Sequence, residues 1–130
     1  MRRSKDDKTL TRAEMEIMNI LWDNGEEGMT THEIIAKYPD PKPAYSTIAT
    51  FMKILTVKEF VKSEKAENGT KTFYFHTLIS RNEYTRKFMN EVKESFFSGS
   101  LKSLISFFAK EEDISEEDLA KIMSIINKEK

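Results

Sequence analysis

Cysteine is absent from all 130 residues. That excludes disulfides, thiolate nucleophiles and every cysteine-based zinc, copper or iron–sulfur site. The 4 glycines are scattered, so the chain offers no glycine-rich phosphate loop. His32 and His76 are the only histidines, with no carboxylate at a ligand spacing from either. A zinc site needs more ligands than that, so neither metal nor cofactor is expected. Neither histidine has a sequence-evident nucleophile beside it, which argues against an enzyme. No run approaches ~18 apolar residues, so no transmembrane span is expected. The charged start, Met1-Arg2-Arg3-Ser4-Lys5, lacks an apolar signal core. A cytoplasmic protein is the simple expectation.

Excess charge of one sign is missing too: the formal net charge is −1. Its distribution says more than its sum. Residues 41–58 hold Lys42, Lys53 and Lys58 and no acid, whereas residues 111–118 hold Glu111, Glu112, Asp113, Glu116, Glu117 and Asp118. Hydrophobic residues make up 38% of the chain. That supports a modest core, of the kind often completed in an oligomer.

What the chain does contain is a series of legible helix starts. Thr11 to Glu14, Thr30 to Glu33, Ser80 to Glu83 and, more weakly, Ser115 to Asp118 fit the capping box. A first helix is predicted from Arg12 to Asn24, with Ala13, Ile17, Ile20 and Leu21 at helical spacing and Gly25 ending it. Gly28-Met29 is a candidate short strand, and a second helix runs from Thr31 to Tyr38 until Pro39, Pro41 and Pro43 stop it. A third runs from Tyr45 to Val57, with Ile48, Phe51, Met52 and Leu55 inward and Ser46, Thr47, Thr50 and Lys53 outward. Residues 60–65 and 71–77 read as strands, with Phe73 and Phe75 on one face and Asn68-Gly69 as the hairpin turn.

Beyond Ser80 the pattern is helical only. Tyr84, Phe88, Val92 and Phe96 form one stripe; Leu101, Leu104, Ile105 and Phe108 form a second; Leu119, Ile122, Met123 and Ile126 form a third. Gly99 breaks the first from the second, and the acidic segment joins the second to the third.

Three helices followed by a hairpin make a winged helix-turn-helix, whose third helix enters the major groove. The expected fold is therefore mainly α with a small β-hairpin wing. A groove-entering helix needs short polar side chains and no carboxylate, as Ser46, Thr47, Thr50 and Lys53 provide. Tyr45 can donate to a phosphate, and Lys62, Lys65 and Lys71 of the wing can reach others, with Glu64 and Glu67 diluting their field. The expected division is a flexible tail over 1–9, the DNA-binding domain over 10–78 and a helical dimerisation region over 79–130.

The chain resembles the penicillinase-repressor (BlaI/MecI-type) family of bacterial transcriptional regulators. The resemblance rests on Leu10-Thr11-Arg12-Ala13-Glu14, Ile17 to Trp22, Thr47 to Leu55, Phe60-Val61, Tyr74-Phe75 and Phe97-Ser98-Gly99-Ser100-Leu101. It implies a homodimeric repressor on a pseudo-palindromic operator, joined through the C-terminal helices. Three apolar stripes after residue 80 point to a dimer independently. Departures are visible. Ile54 stands where the family usually has Arg, removing a phosphate contact. Glu59 replaces the usual Gly, which changes the turn and puts an acid near DNA. Some relatives are cleaved at an Asn-Phe bond that here reads Phe107-Phe108, and copper-responsive relatives carry a Cys-rich tail that is lacking.

Other readings stay open. A winged helix can serve as a protein-interaction module without DNA. Phe88, Phe96, Phe97, Phe107 and Phe108 could line an effector pocket, and the apolar stripes could close a monomeric six-helix domain. No motif specifies an inducing signal or a sensor.

Overall fold

The computed structural model describes residues 9–67 and 69–128, and side chains through residue 125. Residues 1–8 of the tail expected over 1–9, Asn68 of the hairpin turn and the Ile126 side chain lie outside the described residues. The order is α1 (Arg12–Asp23), α2 (Thr31–Ala36), α3 (Tyr45–Val57), β1 (Val61–Lys65), β2 (Phe73–Thr77), α4 (Arg81–Phe97), α5 (Leu101–Glu111) and α6 (Glu116–Lys128). Two compact units divide between Tyr84 and Thr85.

Capping decides where the helices start. Thr11 accepts the Glu14 N–H while the Glu14 carboxylate accepts the Thr11 N–H; Thr30 with Glu33 and Ser80 with Glu83 repeat the reciprocal pair. Ser115 accepts the Asp118 N–H, and Ser100 accepts the Ser103 N–H. Only α3 starts without a side-chain cap, because Ala44 stands at the position. α2 ends at Ala36, not at the expected Tyr38. The next two N–H groups, of Lys37 and Tyr38, turn back to the Ile34 and Ile35 carbonyls, one residue short of the helical ladder.

In the N-terminal unit, Ile17, Met18 and Leu21 of α1, Ile34 of α2 and Ile48, Met52 and Leu55 of α3 meet Phe60 and Val61 in one buried cluster. The antiparallel hairpin pairs Val61 with Thr77, Ser63 with Phe75 and Lys65 with Phe73. The expected strand at Gly28-Met29 is a single bridge, with Met29 and Phe75 exchanging both backbone hydrogen bonds (3.1 and 2.8 Å). A Cβ at Gly28 would stand 2.7 Å from the His76 ring, so a larger residue there would make that ring move. Phe75 packs on the core, whereas Phe73 on the same face stays exposed.

Tyr84 corrects the sequence reading. It was expected on a dimer stripe, but it is 6% exposed in the core of the N-terminal unit. Its hydroxyl accepts the Leu10 N–H at 2.9 Å, and its ring meets Trp22 and Phe60 at 6.1 and 5.7 Å. The first turn of α4 is thus part of the winged-helix core. Arg81 fastens the same turn, bonding Asp23 at 2.7 Å and lying over the Trp22 ring.

The end of α3 holds a second correction. The Phe60 N–H reaches the Leu55 carbonyl and the Glu59 N–H the Thr56 carbonyl, with Leu55 and Phe60 both buried. This is the Schellman closure, which calls for a left-handed residue between helix and strand. Glu59 occupies it at φ 68°. The turn was expected to change with the loss of glycine; instead it keeps its shape and carries strain. A left-handed non-glycine residue costs about 1–2 kcal/mol. Glu59→Gly is expected to raise the stability of the chain by about 1 kcal/mol, read as a higher urea midpoint with an unchanged slope.

In the C-terminal unit, Gly99 at φ 78° follows Ser98 at φ 51° and turns the chain from α4 into α5. Phe97 meets Phe107 at 5.7 Å and Phe107 meets Phe108 at 5.4 Å. Leu104, another expected dimer contact, is instead buried within its own chain. Val92, Leu101, Ile105, Leu119, Ile122 and Met123 are half-buried. Phe88, Phe96, Phe107, Phe108 and Ile125 remain exposed. No described helix is long and apolar enough to cross a membrane.

Candidate nucleic-acid interface

Helix α3 shows its two faces as expected. Ile48, Met52 and Leu55 are buried, while Tyr45, Ser46, Thr47, Thr50 and Lys53 are exposed. No acid lies anywhere on this helix. Its first N–H groups have no side-chain acceptor, and such groups with the positive helix end suit a phosphate oxygen.

The lysines separate sharply. Of the three in the acid-free stretch, two are structural. Lys42 folds back to the Tyr38 carbonyl at 2.6 Å and the Ala36 carbonyl at 3.3 Å, closing the end of α2. Lys58 lies 2.8 Å from Glu14, with side chains only 17% and 4% exposed, and reaches the Thr9 carbonyl at 3.3 Å. The local basic stretch therefore reduces to Lys53 on the exposed face of α3. Burial pushes the Glu14 carboxyl up, but hydrogen bonds from Lys58 and Thr11 and the Lys58 charge outweigh it and hold the pKa below its usual value.

The wing sorts its lysines by pleat. Residues 61, 63 and 65 share a face with 77, 75 and 73; residues 62 and 64 share the other with 76 and 74. Lys62 thus stands on the face opposite Lys65, 3.7 Å from Glu64, which also pairs with His76 at 3.2 Å. Lys53, Lys65 and Lys71 have no carboxylate within 4.0 Å among the described residues.

Between α3 and the wing runs a hollow of about 710 Å³. Tyr45, Ala49, Lys53 and Val57 line it from α3, and Ser63, Lys71 and Phe73 from the wing. The structure thus brings Tyr45, Lys53 and Lys71 to one hollow, with Ser46, Thr47 and Thr50 on the neighbouring surface of the same helix. Sequence reasoning did not place Ala49 or Val57 among the candidate contacts, and weighed His32 only as a metal ligand or catalytic group. Val57 is 82% exposed, and the His32 ring stacks against Tyr45 at 4.8 Å. Val57 was readable in principle: it falls one and two turns beyond Lys53 and Thr50 on the outward arc.

Comparison with known proteins adds the following. Residues 10–128 match the penicillinase repressor family. A penicillinase repressor of Staphylococcus aureus is 27% identical over 119 residues, covering 91% of this chain and 90% of that protein. The methicillin resistance regulatory protein MecI of Staphylococcus aureus is 27% identical over 126 residues, covering 95% of this chain and 98% of that protein. MecI of Mammaliicoccus sciuri is 28% identical with the same coverage. Among solved structures, a cysteine-to-serine variant of Lactococcus lactis ZitR overlaps 99% of this chain and 81% of its own. Its TM-score is 0.44 and its identity 17%, too distant a likeness to inform the site.

Proposed function

The chain belongs to the penicillinase-repressor family, and from that premise we propose a DNA-binding transcriptional repressor that grips a pseudo-palindromic operator as a cytoplasmic homodimer. One observation carries the proposal. The exposed face of α3 has hydroxyls, a lysine without an acidic partner and no acid, and it stands beside a hairpin that offers Lys65 and Lys71. Duplex DNA needs short hydrogen-bonding groups at the base edges and cations at the phosphates. The role is recognition, without catalysis or a cofactor.

Dimerisation is assigned to the C-terminal unit. Phe88, Phe96 and Phe108 from the expected stripes are exposed in the single chain, with Phe107 and Ile125 beside them in the sequence pattern. A second copy covering such residues gives each protomer one half-site and the operator its inverted repeat. Their exposure favours an interface over an internal effector pocket.

Selection from a random duplex library at two salt concentrations tests the proposal. Enrichment of an inverted repeat, with half-sites about one helical turn or a small multiple apart, is the expected result. Weak binding with no enriched sequence, abolished by salt, would overturn it in favour of a protein-interaction module.

A further inference from the structure

We infer that α3 reads thymine methyl groups, so that this chain's operator half-sites depend on the C5 methyl of thymine in the major groove. The inference rests on the DNA-binding proposal and deepens it. Its starting point is what the α3 surface can and cannot do chemically.

Guanine is read by Arg or Lys, adenine by the amide of Asn or Gln, and cytosine by Asp or Glu. Of these residues only Lys53 occurs between Tyr45 and Val57. Lys53 is the one long donor on the helix, enough for a single guanine edge or a phosphate. Hydroxyls discriminate weakly among bases. Methyls are what remains. Thr47 and Thr50 each carry one on the exposed face, Ala49 turns one toward the hollow beside the wing, and Val57 adds two at 82% exposure. Phe73 closes the hollow from the wing, 48% exposed.

Exposed apolar groups gathered at one place mark an interaction site, and with Lys53 and Lys71 beside them they suit a partner with apolar groups among its charges. A thymine-rich groove edge is such a partner, with methyls between two rows of phosphates. Thymine is also the only one of the four bases that carries a methyl group on its major-groove edge.

The test uses the full-length protein and its selected duplex, compared with the same duplex carrying deoxyuridine in place of thymidine. That exchange removes the methyl and leaves every base-pairing group in place. Affinity is expected to fall about fourfold for each contacted methyl removed. Binding to an unrelated duplex should not change on the same exchange. Thr50→Ser keeps the hydroxyl and removes the methyl, so it should erase the thymine-versus-uracil difference at one position. Thr50→Val should preserve it. Equal affinity for the two selected duplexes overturns the methyl inference and leaves the repressor proposal standing. Failure to select any sequence overturns both.

Discussion

Lys58→Met is expected to destabilise the N-terminal unit by about 3–5 kcal/mol at neutral pH, because it strands a buried carboxylate. The exchange keeps the side chain's length and apolar stem and removes only the charge at 2.8 Å from Glu14. Thr11 still caps that carboxylate, which places the loss toward the lower end of the range. The pH dependence separates this cause from simple misfit. In the unaltered chain the folded Glu14 pKa is depressed. Its stabilisation is therefore fully present above the unfolded pKa and is lost as pH falls through the folded value. In the variant the lysine no longer lowers the folded pKa, which rises relative to that of the unaltered chain. The variant therefore loses less on protonation, and the gap between the two proteins narrows as pH falls toward 4, roughly the unperturbed Glu value. Chemical denaturation at pH 7 and pH 4 measures the gap at both ends. A gap that does not change with pH would sink the electrostatic account, as would failure of Glu14→Gln to recover stability in the double variant.

The second large effect falls on recognition. Thr47→Ala and Thr50→Ala should each weaken specific binding by about 1–3 kcal/mol while leaving thermal stability nearly unchanged, since both side chains are exposed. Lys65→Ala and Lys71→Ala should behave differently. They should weaken binding to all sequences alike and reduce the slope of log affinity against log salt by about 1 each. Lys62, on the opposite pleat and close to Glu64, should change the slope least. Fluorescence anisotropy on selected and scrambled duplexes across a salt series reads all of these. Threonine variants that keep the full preference for the selected duplex would show that α3 is not the reading element.

Much of this organisation was legible in the sequence, and the reasons are local. α3 runs from Tyr45 to Val57 as its periodicity predicts, and the three strongest capping boxes form in both directions. Hydroxyl caps act over three residues, so sequence spacing captures them. Longer-range partnerships are different. A lysine can serve water, a phosphate, a carbonyl or a carboxylate, and nothing local told Lys53 from Lys42 and Lys58. Only the packing of α1 against the end of α3 makes Glu14 the partner of Lys58. Tyr84 was assigned to the wrong unit for a related reason. It begins an unbroken stripe with Phe88 and Phe96, and periodicity cannot show that the first turn of a helix docks elsewhere than the rest. Glu59 was read by residue type, whereas the backbone around Leu55 and Phe60 dictates its conformation.

The inward use of Lys42 and Lys58 also bears on how a repressor of this design would find its site. Nonspecific affinity comes from cations that displace counterions along the duplex. With two lysines bonded within the fold, fewer are left on the α3 side to hold the protein on random DNA. Each encounter is then expected to be shorter, with a larger share of the search made by dissociation and recapture. Arrival is slower than under strong electrostatic steering, but a smaller share of the protein is held up on the rest of the chromosome.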